Sequence, residues 1–216
     1  MSFPVSVGLR LLLVDDHAVV RTGFRRLLEQ AGPSWQVCEA ESGEQAYVLF
    51  AAGDFDVVVL DLSLPGMSGL ETLRRLRRRA GNARVLVFSM HDQGVFVEQA
   101  LAAGAQGYIT KSSAPQVLVD AVLAVAAGER YLHEGLALAL EQDTAGGESA
   151  LRNLSAREFE IFRLLAEGRC THGIAALLNI SYKTVANHAC SIKDKLGLSN
   201  AADLTRLAIR EGVVDA

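Results

Sequence analysis

Cysteine is scarce in this 216-residue chain: there are three, at Cys38, Cys170 and Cys190. An odd number so widely separated excludes a disulfide framework and any Cys-x-x-Cys zinc or redox motif. No apolar run approaches the roughly 18 residues of a membrane span. The opening MSFPVSVGLR has no basic start leading into an apolar stretch, so no secretory signal is read there. A globular protein of a reducing compartment is expected, away from any membrane. Domains typically run to about 100–200 residues, which allows one large domain or two modest ones. Each half is long enough to bury a sizeable core without covalent staples.

The net charge of -4 is unevenly spread. Residues 1–150 carry 12 Lys and Arg against 18 Asp and Glu, while residues 151–216 carry nine against seven. The split points weakly to a phosphate-bearing partner for the C-terminal part, although an excess this small is also ordinary surface chemistry.

Periodicity divides the chain in the same place. From Leu9 to about Ala127, short apolar runs alternate with amphipathic stretches. The runs are 11–14, 35–40, 57–60, 85–88 and 107–109. Such Leu-rich or β-branched runs are expected of parallel strands buried on both faces. In the first helical stretch Val20, Phe24, Leu27 and Leu28 share one face. The expected fold is therefore a doubly wound, five-stranded parallel α/β domain followed by an all-α domain. Residues 155–166, 171–178, 182–196 and 200–210 read as short helices, the first begun by Ser155 with Glu158 reaching back. A helix over 133–141 extends the first domain, and the Gly- and polar-rich 141–153 reads as a linker. The boundaries expected are 8–130, 131–152 and 153–216.

In open α/β sheets ligands sit at the carboxyl ends of the strands. There the chain places Asp15 and Asp16, then Asp61, then Ser89, then Lys111. Three carboxylates in one pocket repel one another unless a cation is present, and Mg²⁺ suits an all-oxygen set that favours a phosphate ligand. A lysine and a hydroxyl complete an inventory for phosphoryl transfer, with an aspartate able to act as nucleophile.

The segments LLLVDDH (11–17), VVVLDLSLPGMSG (57–69), VLVFSMHD (85–92) and GYITK (107–111) resemble a response-regulator receiver domain. The whole chain resembles the NarL/FixJ class of two-component transcription regulators. The resemblance implies that Asp61 accepts a phosphoryl group from a sensor histidine kinase. It implies direct Mg²⁺ ligation by Asp16, Asp61 and the carbonyl of Ser63, with Asp15 acting through water. Ser89 and Lys111 would hold the phosphoryl group, and Tyr108 would be the aromatic switch.

Taken singly, each residue has a plainer reading. An Asp at a strand end is commonly a helix cap, and Asp16 could cap the helix starting near His17. Tyr108 could be an ordinary strand aromatic. The arginines at 74, 75, 77, 78 and 79 read as the solvated face of a helix whose Leu73 and Leu76 point inward. His17 and His91 fall near the pocket mouth. His91 is either a surface residue or one that tunes loss of the phosphoryl group. Cys170 and Cys190 read as small buried or half-buried side chains.

Residues 154–200 resemble a LuxR-type helix-turn-helix. Ile174, Leu177, Ile180, Val185, Ile192 and Leu196 have the spacing to bury two helices crossing at the Asn179–Ser181 turn. Ser181 can cap the second helix, which would lie in the major groove of promoter DNA. Its candidate contacts are Lys183, Thr184, Asn187, His188, Ser191 and Lys195, and an Asn there can pair with adenine. The chain departs from the family in three places. Thr171, His172 and Gly173 replace Asn-Lys-Glu, Ala186 replaces Lys, and Cys190 stands where a basic residue is frequent. Gly173 costs about 1 kcal/mol relative to alanine, so a weak first helix is expected. The resemblance also implies a cytoplasmic regulator that dimerises on phosphorylation, with RNA polymerase a further candidate partner. It is a regulator rather than an enzyme. Its rivals are a phosphorylation-controlled protein-interaction module and a metal-dependent hydrolase. Ser63, where a DxDx phosphatase has its second acid, argues against the hydrolase.

Overall fold

A computed structural model describes residues 8–133, 135–136 and 150–214. The chain divides into two compact units, residues 1–91 with 100–133, and residues 92–99 with 134–216. Most of the expected 133–141 helix and 141–153 linker lies outside the described residues.

Strand and helix alternate along residues 10–126: β1 (Arg10–Val14), α1 (Ala18–Ala31), β2 (Gln36–Ala40), α2 (Gly43–Ala52), β3 (Val57–Leu60), α3 (Gly69–Arg79), β4 (Val85–Ser89), α4 (Gly94–Ala102, of which 94–99 group with the second unit), β5 (Gly107–Thr110) and α5 (Pro115–Ala126). A sixth strand of two residues, β6 (Tyr131–Leu132), follows and pairs with β5. All pairings are parallel, in the order β2-β1-β3-β4-β5-β6. The five expected strands fall where the apolar runs lie. The sixth escaped the sequence reading because two half-buried residues make no run.

β3 and β4 are buried along their whole length, as strands covered on both faces must be. Leu11, Leu13, Val57, Val59, Leu86, Phe88 and Ile109 meet α1 and α5 residues in one apolar cluster. Leu28 of α1 is fully buried, and Phe24 meets Phe88 edge-on at 4.5 Å. α3 buries Leu73 and Leu76, and its last turn carries Arg77, Arg78 and Arg79 at the favourable, carbonyl end.

The second unit is helical: a 3-10 turn (Ala150–Asn153), α6 (Ala156–Ala166), α7 (Thr171–Leu177), α8 (Tyr182–Leu196) and α9 (Ala201–Arg210). α6 opens with the expected capping box of Ser155 and Glu158. Its core includes Phe159, Ile161, Phe162, Ile174, Val185, Ile192, Leu204 and Ala208. Phe96, which belongs to this unit, meets Phe159 edge-on at 5.2 Å. Three side chains depart from expectation. Leu177 is exposed, and Leu178, just past the end of α7, is buried in its stead. Ile180 and Leu196 are half-buried. α7 forms in spite of Gly173, whose amide donates to the Sγ of the capping Cys170. No described helix is long and apolar enough to cross a membrane.

Candidate functional site

The parallel order puts the carboxyl ends of β1, β3, β4 and β5 side by side, and the side chains that follow them converge. Asp15 and Asp61 are each only 2% exposed. Lys111 places its Nζ 2.6 Å from a carboxylate oxygen of each. Burial disfavours the lysine's charge, but hydrogen bonds to Asp15 and Asp61 and their negative charges outweigh it, holding its pKa above the ordinary value. The other Asp61 oxygen accepts from the Ser63 amide at 3.1 Å. Asp15 also accepts from the His17 amide at 2.8 Å. It is thus Asp15, not Asp16, whose carboxylate meets the amide at the start of α1.

That arrangement leaves Asp16 free for another purpose. Its Oδ1 is buried without a hydrogen bond, 2.9 Å from the His17 ring in a geometry that meets only the ion-pair distance. Ligand atoms of Asp15, Asp16, His17 and Asp61 all lie within 4.8 Å of one another. One lysine and one exposed histidine are facing three carboxylates, and a buried oxygen lacks a donor. A hard divalent cation would supply what is missing, so the residues fit Mg²⁺. His17 belongs to this group, which sequence reasoning had placed only near the mouth.

The remaining pocket residues form a chain of contacts. Ser89 is fully buried, and its hydroxyl accepts from the His91 amide at 3.4 Å. Tyr108 is fully buried too, and its hydroxyl donates to the His91 carbonyl at 2.8 Å. The His91 ring lies 3.2 Å from the Ser63 hydroxyl. His91 therefore joins Ser63, Ser89 and Tyr108.

The loop after Asp61 is held by contacts remote in sequence. Glu44 accepts from the Met67 amide at 2.9 Å. Gly66 takes a positive φ of 71°, which glycine adopts without penalty. Gly69 lets α3 start against the backbone of Asp61: a Cβ there would overlap the Asp61 carbonyl and come to 2.5 Å of the Leu62 Cα. Gly69→Ala should therefore destabilise the first unit by roughly 2–3 kcal/mol and displace Asp61. Urea denaturation followed by the single tryptophan, Trp35, measures this. A change below about 0.5 kcal/mol would show that the close approach carries no constraint.

In the helical unit, α7 and α8 meet at a turn where Asn179 takes φ 50°, a conformation Asn tolerates better than most residues. Ser181 caps α8 by accepting from the Thr184 amide at 3.0 Å, and the two hydroxyls lie 2.8 Å apart. Lys183 and Asn187 are exposed, and Thr184 and His188 are half-buried. Ser191 and Lys195 turn towards α6: each donates to the Glu158 carboxylate at 2.7 Å. Glu158 is 5% exposed. Burial pushes its carboxyl up, but hydrogen bonds from Lys195, the Ser155 amide and Ser191 more than offset this and bring the pKa to about 2, against an ordinary 4.5. Cys170 and Cys190 are exposed, contrary to expectation, because Cys170 caps a helix and Cys190 lies on the outer face of α8.

An acidic, lysine-bearing pocket at the strand ends and a capped two-helix turn define a receiver joined to a helix-turn-helix. The comparisons with known proteins agree. Residues 11–123 match "Response regulator receiver domain" and residues 152–208 match "Bacterial regulatory proteins, luxR family". The chain is 43% identical to the transcriptional activator protein ExaE of Pseudomonas putida, over 94% of this chain and 97% of the relative. It is 38% identical to the nitrate/nitrite response regulator protein NarL of Escherichia coli strain K12, over 89% and 91%. Among solved structures it resembles RcsB from Salmonella enterica serovar Typhimurium bound to promoter rprA with the phosphomimetic BeF3-. That match has a TM-score of 0.69 at 28% identity, covering 93% of this chain and 98% of the other. The chain belongs to the NarL/FixJ family of two-component response regulators, with a receiver and a LuxR-type DNA-binding domain.

Proposed function

We propose that Asp61 is the phosphoacceptor, and that its phosphorylation by a sensor histidine kinase controls transcription through α8. The observation that carries this is the convergence of the buried Asp15 and Asp61 on Lys111, with Asp16 grouped beside them. An Asp61 oxygen forms a bond to phosphorus as the phosphorus–nitrogen bond of the donor phosphohistidine breaks, and the freed imidazole takes up a proton. Asp16, Asp61 and the Ser63 carbonyl would hold Mg²⁺, with Asp15 acting through water, and the ion would supply charge neutralisation for the phosphoryl oxygens. Lys111 moves from ion-pairing with carboxylates to pairing with phosphoryl oxygen, and the Ser89 hydroxyl donates to the same group.

The Tyr108–His91 bond supplies the switch in this reading. The Tyr108 ring is already fully buried, so phosphorylation acts by favouring the inward ring over any outward alternative. The chain acts as a regulator that handles only its own phosphoryl group, in the cytoplasm where promoter DNA lies. Lys183, Thr184, Asn187 and His188 make the DNA contacts, while Ser191 and Lys195 hold α8 against α6. So few cations bind weakly as one module, and dimerisation on paired half-sites raises the effective concentration.

Fluorescence anisotropy of the full chain on DNA upstream of its own operon tests the reading. Mg²⁺ with beryllofluoride, a phosphoryl mimic, should tighten binding by roughly tenfold or more. It should also steepen the salt dependence. Equal affinity with and without the mimic would remove phosphorylation control. Failure to bind that DNA and genomic fragments alike would leave a protein-interaction module.

A further inference from the structure

The rings of His172 and Tyr182 stack with centroids 4.4 Å apart and planes 25° apart. His172 lies in the first turn of α7 and Tyr182 is the first residue of α8. The stack therefore joins the starts of the two helices that make the turn motif. Both side chains are exposed, Tyr182 by 49%. Among the described residues, neither the Tyr182 hydroxyl nor a His172 nitrogen has a hydrogen-bond partner. Two polar aromatic side chains are thus ordered against each other while their donors point to no group of the protein.

The surroundings select the kind of partner. Between Glu167 and Asp194 the chain has no Asp or Glu, whereas Arg169, Lys183 and Lys193 fall within that stretch. Arg169 is paired with the Glu167 carboxylate at 3.3 Å, which leaves Lys183, the second residue of α8, as the cation next to the stack, and a cation there suits a polyanion. In a helix-turn-helix the first helix crosses the DNA backbone while the second enters the major groove by its N-terminal end. The starts of both helices, and the stack between them, accordingly meet the sugar-phosphate strand at the edge of the groove.

We propose that the His172–Tyr182 stack is a phosphate clamp: the imidazole N–H and the phenol O–H each donate to a backbone phosphate of bound DNA beside the start of α8. The inference rests on the reading of α8 as a DNA-binding helix and adds a contact that the list of α8 candidates lacks. Stacking sets both donors before DNA arrives, so little side-chain freedom is lost on binding. The phenol is a neutral donor. It displaces no condensed counterion, so its contribution is independent of salt, unlike that of Lys183. A phosphate contact carries no base information, so its loss weakens binding to every sequence alike.

Tyr182→Phe and His172→Phe keep two stacked rings and remove one donor each. The test is anisotropy of the full chain with Mg²⁺ and beryllofluoride. It uses the duplex upstream of the protein's own operon and a scrambled duplex of equal length, with thermal melting of each variant alongside. Each variant should bind both duplexes roughly three- to tenfold more weakly, with its melting temperature unchanged. Tyr182→Phe should leave the slope of log affinity against log salt as it was, while Lys183→Ala should flatten it by about 0.9. Wild-type affinity in both Phe variants would overturn the clamp. A loss confined to the operon duplex would assign the pair to base reading instead, and a loss accompanied by a lower melting temperature would assign it to holding α7 on α8. If the wild-type chain binds neither duplex, the DNA-binding reading fails first and the clamp falls with it.

Discussion

Asp61→Asn should abolish uptake of a phosphoryl group from acetyl phosphate or a cognate kinase, with the fold intact. The amide nitrogen is no nucleophile, and none of the other carboxylates replaces Asp61: Asp15 is committed to Lys111 and the His17 amide. Two opposing effects govern stability. Removing one of three clustered carboxylates relieves repulsion. Against this, Asp61 accepts from Ser63 on one oxygen and from Lys111 on the other, so an Asn must turn its NH2 towards one of these donors. Each effect is worth roughly 1 kcal/mol, and the melting temperature should stay within about 5 °C of wild type. Mg²⁺ affinity should fall by about tenfold or more, because a charged ligand is lost. Phosphate-affinity electrophoresis after acetyl phosphate treatment gives the main readout. A mobility shift in the variant equal to that of the wild type would mean that Asp61 is not the acceptor.

The pocket was legible in the sequence because a parallel sheet turns a linear order into a spatial one. Once the apolar runs are read as strands, Asp15, Asp16, Asp61, Ser89 and Lys111 must share an edge, whatever the intervening helices do. Contacts that the sheet does not dictate were not legible. Glu44 bonds the Met67 amide across 23 residues, a pairing with no local signature. The bond between His91 and Ser63 is equally remote, and only its position at the pocket mouth could be anticipated. On α8, helical spacing showed which residues share a face but not what that face meets. Ser191 and Lys195 read as groove contacts on spacing alone, yet both donate to Glu158 on α6. Glu158 itself was recognised as a cap partner. Its second partnership, more than thirty residues along the chain, had no sequence trace.

That second partnership gives the larger expected effect on the helical unit. One carboxylate both caps α6 and receives Ser191 and Lys195 of α8. It thereby fixes the helix proposed to enter the groove. Its pKa is about 2 when folded, against an ordinary 4.5. A depressed folded value means that the stabilisation is fully present above the unfolded value and is lost as pH falls from about 4.5 towards about 2. The shift corresponds to roughly 3 kcal/mol, reduced to about 2 because the partner lysine is 40% exposed and partly screened. Glu158→Gln should therefore cost about 2 kcal/mol at neutral pH and almost nothing near pH 2. The two units allow the loss to be located. Trp35, the only tryptophan, reports the first unit, whereas far-UV circular dichroism reports helices of both. In urea, Glu158→Gln should bring forward the dichroism transition and leave the tryptophan transition where it was. Equal shifts in both signals would show that the carboxylate stabilises the chain as a whole, and a difference that persists at low pH would show that its charge is not what holds α8. DNA affinity should fall together with this stability, because a reading helix that loses its seat presents Lys183 and Asn187 in many orientations instead of one.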